Sequence, residues 1–224
     1  MASPTTEDYL KQIWMLRESL ASPCVPMGEL ARALDVSPGT VTTMVKSIAA
    51  AGLADYRPRQ GVGLTPEGEA LALRMVRRHR IVELFLVETL GMDWSEVHAE
   101  AEVLEHAVSE KVVERLAAFL GDPSVDPHGD PIPRSDGGLD AGRGAMPLSQ
   151  CAPGSSVVVV RVREQSREVL DFLAGHGMKP GSPLEVVACN RGGGTLELRG
   201  EDGGLVGISL EAAEAVEVAP ATGG

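Results

Sequence analysis

Three of the five histidines in this chain, His79, His98 and His106, stand among carboxylates at helical spacing. In His98-Ala-Glu-Ala-Glu102-Val-Leu-Glu105-His106, steps of four, three and four (98 to 102, 102 to 105, 102 to 106) bring these side chains to one face of a helix. His79 and Glu83 repeat the four-residue step on the preceding helix, and Asp8, at the start of the first helix, offers one more oxygen donor. Carboxylate and imidazole groups converging from facing helices are what a mononuclear or binuclear divalent transition-metal site requires. Taken singly, each of these residues reads as a solvated Glu or a hydrogen-bonded His. Together, between helices whose other faces are apolar (Ile81, Leu84 and Phe85; Val103 and Leu104), they read as a metal cluster. His128, in a Pro/Gly loop, and His176, near a helix end, take the plainer reading of solvated side chains, and Met15, Met27 and Met44 that of core fillers.

A second constellation carries a different chemistry. A helix that reads DNA presents small polar side chains and a few donors to base edges and phosphates, as Ser37-Pro38-Gly39-Thr40-Val41-Thr42-Thr43-Met44-Val45-Lys46 does. Val41, Met44, Val45 and Ile48 can face a core. That leaves Ser37, Pro38, Gly39, Thr40, Thr42, Thr43 and Lys46 outward, with Arg57 and Arg59 on the hairpin that follows placed to meet phosphates. The competing reading is a three-helix interaction module with a solvated polar helix; a hairpin bearing two arginines directly after the helix favours DNA.

The elements that must position these groups follow from periodicity. Tyr9, Leu10, Ile13, Trp14, Leu16 and Leu20 give a first helix over 6–20, with Thr5 or Thr6 as N-cap. Short helices over 27–34 and 37–50 follow, and 53–64 reads as two strands of a wing. A Thr65 cap with Pro66 behind it starts a long helix towards Leu90. Further helices run through His98 to His106 and over 109–120. Residues 121–147, rich in Gly and Pro, read as a linker. Strands at 156–162, 184–187, 195–199, 205–209 and 215–218, with a helix over 167–176, suggest a small β-barrel.

Composition sets the outer limits. The length of 224 residues allows two modest domains, and 43% hydrophobic residues argue against disorder throughout. Cys24, Cys151 and Cys189 are scattered and odd in number, which excludes a disulfide framework or a Cys-x-x-Cys zinc site and fits a reducing cytoplasm. The polar N-terminus is no secretory signal, and no stretch has the length of a membrane span. The net charge of −12 opposes phosphate binding only on average: residues 1–75 hold seven Lys and Arg against eight Asp and Glu. The acidic load lies outside the DNA-reading part.

The order Thr5-Thr6-Glu7-Asp8-Tyr9-Leu10, the helix-turn-helix, Arg78-His79-Arg80 with Glu83, and His98 through Glu102, Glu105 and His106 resemble the diphtheria toxin repressor family of metal-dependent repressors. The loop Asp126-Pro127-His128-Gly129-Asp130-Pro131-Ile132-Pro133 looks like that family's segment after its dimerisation helices. The resemblance implies a multidomain α+β fold: a winged helix-turn-helix DNA-binding domain (1–73), a helical metal-binding and dimerisation domain (74–134), a linker (135–150) and a C-terminal SH3-like small β-barrel (151–220). It implies homodimers on palindromic double-stranded DNA operators, repressing metal-uptake genes, with no membrane partner and no enzymatic activity. A primary metal site maps onto Asp8, Glu102, Glu105 and His106, and an ancillary site onto His79, Glu83 and His98. The SH3-like domain of the family also lends an acidic and an amide ligand three residues apart; Gln165 and Glu168 have that spacing in reversed order.

Two departures bear on the ion. Where iron-responsive members carry Met and Cys, this chain has Asp8 and Glu102, and oxygen donors suit Mn²⁺. In this the chain is similar to the manganese transport regulators, with Fe²⁺ or another divalent transition metal as the alternative. The further Glu that those regulators carry one turn past the Asp is Lys11 here, against a binuclear site of their kind. Two readings compete. A carboxylate-bridged di-metal enzyme would need two Glu-x-x-His elements where one comparable element is present, and a metal-free winged-helix regulator would leave the acidic cluster unexplained.

Overall fold

The structure, a computed structural model, describes residues 3–139 and 144–221. It divides into two compact units. The first comprises Met1–His79, Glu105–Glu110 and Pro133–Leu139, the second Arg80–Leu104, Lys111–Ile132 and Asp140–Gly224. Among the described residues no helix is long and apolar enough to cross a membrane. Part of the expected linker, residues 140–143, lies outside the described residues.

In the first unit, α1 (Pro4–Ser19), α2 (Met27–Ala33) and α3 (Pro38–Ala50) precede a hairpin of β1 (Ala54–Arg57) and β2 (Gly61–Leu64) and the first part of α4 (Pro66–Glu88). The cap of α1 is Ser3, whose side chain accepts from the Thr6 amide, with Pro4 in the first turn; neither Thr5 nor Thr6 caps it. Pro at the first helical position gives up a donor that has no intrahelical partner there. Leu10, Ile13, Leu30, Val41, Val45, Ile48 and Val62 close one apolar core. The wing is tied to that core by Val25, which exchanges backbone hydrogen bonds of 2.8 and 2.9 Å with Val62. Only glycine fits next to it. Gly61 has φ +127°, and a Cβ there would lie 2.2 Å from the Val25 carbonyl oxygen.

In the second unit, the rest of α4 joins α5 (Val97–Leu104) and α6 (Glu110–Phe119). It continues with β3 (Met146–Pro147), β4 (Ser156–Val162), α7 (Arg167–Gly175), β5 (Pro183–Asn190), β6 (Thr195–Arg199), β7 (Leu205–Ser209), α8 (Leu210–Glu214) and β8 (Val216–Pro220). The strands form one antiparallel sheet in the order β3-β8-β4-β5-β6-β7, with register shifts at Val159/Arg161 and Val186/Ala188 that bend it. Alternate residues of these strands, including Val157, Val159, Val186, Leu196, Leu198 and Val218, bury one core with Leu170, Leu173 and Trp94. Three small elements have no counterpart in the periodicity: the two-residue β3, the 3₁₀ helix Leu148–Gln150, and α8, five residues capped by Ser209.

Candidate metal centre

The first unit brings Asp8, Glu105 and His106 together, with one donor atom from each inside a span of 4.8 Å. His106 Nε2 lies 2.8 Å from Asp8 Oδ1 and 3.5 Å from Glu105 Oε1. Its other nitrogen, Nδ1, is 3.1 Å from Glu7 Oε2. A carboxylate behind a metal-binding histidine fixes the ring's orientation, and Glu7, which spacing alone did not single out, stands in that position behind His106. The Glu105 side chain is fully buried and both of its oxygens are engaged: Lys11 Nζ donates to Oε1 at 2.6 Å, and His79 Nδ1 meets Oε2 at 2.6 Å. Burial drives the Glu105 carboxyl upward, but the His79 hydrogen bond and the Lys11 charge outweigh it and hold the pKa below its usual value. Asp8 goes the other way: burial raises its pKa, and the neighbouring His106 only partly offsets this.

Glu105 and His106 do not lie on a helix. The helix ends at Leu104, and both residues sit on the turn that follows. The turn is held by Arg78, which donates to the Glu105 carbonyl at 3.1 Å and pairs with Glu110. The expected four-residue step from Glu102 to His106 is therefore not a helical one. The donor set, two carboxylates and one imidazole with Lys11 behind Glu105 and Glu7 behind His106, suits a hard divalent cation.

The second unit holds the other donors. Glu83, on α4, is buried and lies 3.0 Å through Oε1 from His98 Nδ1; His98 Nε2 is 3.6 Å from Glu102 Oε1. His128 is fully buried, not solvated as its loop composition suggests. It stacks on Trp94 at 5.4 Å, its Nε2 is 2.9 Å from the Trp94 carbonyl, and its Nδ1 points at Glu83 Oε2 from 3.9 Å without a hydrogen-bond partner among the described residues. Glu83, Asp126 and His128 form a further group able to hold a cation, and all three are buried. Gln165 donates to Asp130 Oδ2 at 2.7 Å, while Glu168 is exposed in the first turn of α7 and joins no such group among the described residues. His176 is exposed, with Nδ1 2.7 Å from the Phe172 carbonyl.

Burial lifts the Asp126 pKa well above its usual value, helped by the Asp130 and Glu83 charges against Arg80. A carboxyl raised in the folded state binds its proton where the unfolded chain has lost it. Stability at this residue is therefore complete below about pH 4 and falls as pH rises towards the folded value. Asp126→Asn, in chelator, should raise the melting temperature relative to the parent chain at pH 7 by roughly 2–4 °C, with the difference vanishing near pH 4. A pH-independent difference between the two melting curves would contradict this.

The residues expected to read DNA are exposed or partly exposed. Ser37, Pro38, Gly39, Thr40, Thr43 and Lys46 are exposed on or before α3, and Thr42 is partly so. Ser37 caps the helix, accepting from the Thr40 amide at 3.1 Å. Thr42 and Thr43 donate their hydroxyl protons to the carbonyls of Pro38 and Gly39, at 2.8 and 3.0 Å. On the wing Arg59 is exposed at φ +67°, and Arg57 pairs with Asp55 at 2.6 Å.

Comparison with known proteins matches residues 1–62 to the "Iron dependent repressor, N-terminal DNA binding domain", 65–134 to the "Iron dependent repressor, metal binding and dimerisation domain", and 146–220 to the FeoA domain. The chain is 34% identical to the iron-dependent repressor IdeR of Mycobacterium tuberculosis, covering 96% of both chains. It is 31% identical to the diphtheria toxin repressor of Corynebacterium efficiens, over 82% of this chain and 83% of that one. Among solved structures, a manganese-dependent transcriptional repressor in complex with manganese superposes with a TM-score of 0.86 at 38% identity, over 96% of this chain and all of the other.

Proposed function

The chain belongs to the diphtheria toxin repressor family of metal-dependent transcriptional repressors, and on that premise we propose that Mn²⁺ is the ion it answers to. The observation that carries this reading is the convergence of Asp8, Glu105 and His106 within 4.8 Å. That set contains oxygen and imidazole and no sulfur. Mn²⁺ ranks lowest in intrinsic affinity among the divalent first-row metals and is selected by such hard donors. Fe²⁺ is the second reading, favoured by the identity to IdeR. Glu102, and the ancillary set of His79, Glu83 and His98 with Gln165 and Glu168, stay in the proposal on the resemblance.

A cation held by Asp8, Glu105 and His106 would supply charge neutralisation, and would tie α1 to the turn at Glu105–His106 by that cross-link. The chain's own residues do the rest. Glu7 aims His106, Lys11 and His79 hold Glu105, and Arg78 holds the turn. Because α1 packs in the same core as α3, the cross-link steadies the element that carries the DNA-reading side chains. Val103, Val112 and Phe119 are exposed on α5 and α6, an apolar surface suited to the homodimer. A two-fold dimer would meet palindromic half-sites about 34 Å apart, or multiples of that distance. The three-part division 1–73, 74–134 and 151–220, and action in the cytoplasm where the DNA is, belong to this reading.

Reciprocity supplies the test. If manganese tightens operator binding, operator must tighten manganese binding by the same factor, typically about 5–150-fold. Isothermal titration of Mn²⁺ with and without operator DNA should show this, with Fe²⁺, Co²⁺ and Zn²⁺ ranked in the same assay. Equal manganese affinities in both titrations would refute the reading.

A further inference from the structure

The wing carries two arginines in different electrostatic states. Arg57 is bound to Asp55, two residues earlier on β1: its Nε and Nη2 both donate to Asp55 Oδ2, at 3.0 and 2.6 Å. Arg59, in the turn of the hairpin, is exposed and has no carboxylate partner among the described residues.

Strand geometry keeps the pair together. Alternate residues of a strand share a face, and a residue before proline is held extended, so with Pro58 behind it Arg57 stands beside Asp55. Their cross-strand neighbours are Gly61 and Gly63, which bring no side chain to compete for either group. Both side chains are more than half exposed, 62% and 53%, and a pair so exposed adds little to stability. Its consequence lies in what Arg57 offers to a phosphate: a guanidinium whose charge is already answered, next to a carboxylate that repels the incoming anion.

Other cations of the DNA-reading part are answered in the same way. Of the seven Lys and Arg in residues 1–75, Lys11, Arg17, Arg32 and Arg57 pair with Glu105, Glu69, Glu29 and Asp55. Lys46, Arg59 and Arg74 are exposed with no carboxylate partner among the described residues. Of the four pairs, the one between Asp55 and Arg57 lies on the hairpin expected to meet DNA.

We infer that Asp55 damps the sequence-independent part of DNA binding by holding Arg57, so that the wing grips phosphate through Arg59. Affinity for DNA at large comes from phosphate contacts that release counterions. Lowering it leaves a larger share of the binding to base contacts and to the metal response. The inference rests on the proposed reading that the wing meets phosphate, and makes a separate claim about Asp55.

The test is fluorescence anisotropy of the full chain in saturating Mn²⁺ on a short duplex of random sequence, over a series of salt concentrations. Asp55→Asn keeps the shape and an acceptor oxygen and removes the charge. It should tighten binding about tenfold at low salt and steepen the dependence of log affinity on log salt by about 0.9 per protomer, one phosphate contact's worth. The same gain should appear on operator DNA, because every sequence carries the phosphates. Asp55→Asn with Arg57→Gln should return to the parent affinity, and Asp55→Glu, which restores the pair, should bind as the parent does. Arg59→Gln in the parent chain should make the slope shallower by about 0.9 per protomer. Unchanged or weaker binding by Asp55→Asn overturns the inference, since the carboxylate is then inert or aims Arg57 at DNA. So does a gain that persists after Arg57→Gln, or one confined to the operator. If Arg59→Gln alters the slope and Asp55→Asn does not, the inference fails and the wing reading stands. If neither alters it, the wing does not meet phosphate and both fail.

Discussion

Replacing His106 by alanine is expected to lower operator affinity in saturating Mn²⁺ by about 100-fold, near the upper end of coupling between two sites. The reason is geometric. The two nitrogens of His106 face Asp8 on one side and Glu7 on the other, so it joins these two carboxylates of α1 to the turn after α5. Without it Asp8 has no imidazole neighbour, and the donor set loses its nitrogen. Operator affinity in chelator should be unchanged, because the ring is one-fifth exposed and lies outside the apolar core. Gel-shift titrations with and without manganese separate the two quantities. A proportional loss under both conditions would mean that His106 serves folding and not the metal response.

Glu105→Gln should have the largest effect on stability. The parent carboxylate is fully buried between Lys11 and His79, and its neutral replacement takes a hydrogen-bonded negative charge away from the Lys11 ammonium, which is only 4% exposed. Breaking a buried pair by removing one partner costs about 3–5 kcal/mol, which for a chain of this length lowers the melting temperature by roughly 10 °C. The pair is expected to matter less on acidification. The Glu105 pKa is depressed in the fold, so its contribution is present above the ordinary carboxylate range and lost as pH falls through the folded value. Thermal melts of metal-free protein across pH 3 to 7 would check both statements. The gap between parent and variant should close towards the acid end.

The helix-turn-helix, the wing and the long helix were legible because each carries local signals: periodic apolar residues, a Pro after a cap, glycines at the hairpin. Gly61 shows how far such signals reach, since its backbone freedom reads as a turn while the contact that demands it, the Val25 carbonyl, is supplied by a distant residue. The candidate metal centre was legible by residue type more than by geometry. Leu104 is followed by Glu105-His106-Ala107 with no Gly or Pro to mark a helix end, so helical spacing runs on past the true stop. What ends the helix is partly tertiary: the Arg78 guanidinium takes the Glu105 carbonyl. His128 escaped for a similar reason. A Pro/Gly loop implies solvent, and nothing near it in sequence announces the Trp94 ring and carbonyl that enclose it. Glu7 and Lys11 flank Asp8 in the chain, but their partners lie 99 and 94 residues away, beyond any local pattern.

The two back-bonded threonines of α3 have an implication for which bases the protein can choose. Thr42 and Thr43 spend their only hydroxyl protons on the carbonyls of Pro38 and Gly39. Facing a groove, they are left with lone pairs and a γ-methyl. Lone pairs favour the exocyclic amino groups of adenine and cytosine, and the methyl favours thymine's own. In the proposed DNA-reading role of α3, guanine, which offers only acceptors on its major-groove edge, would fall instead to Lys46.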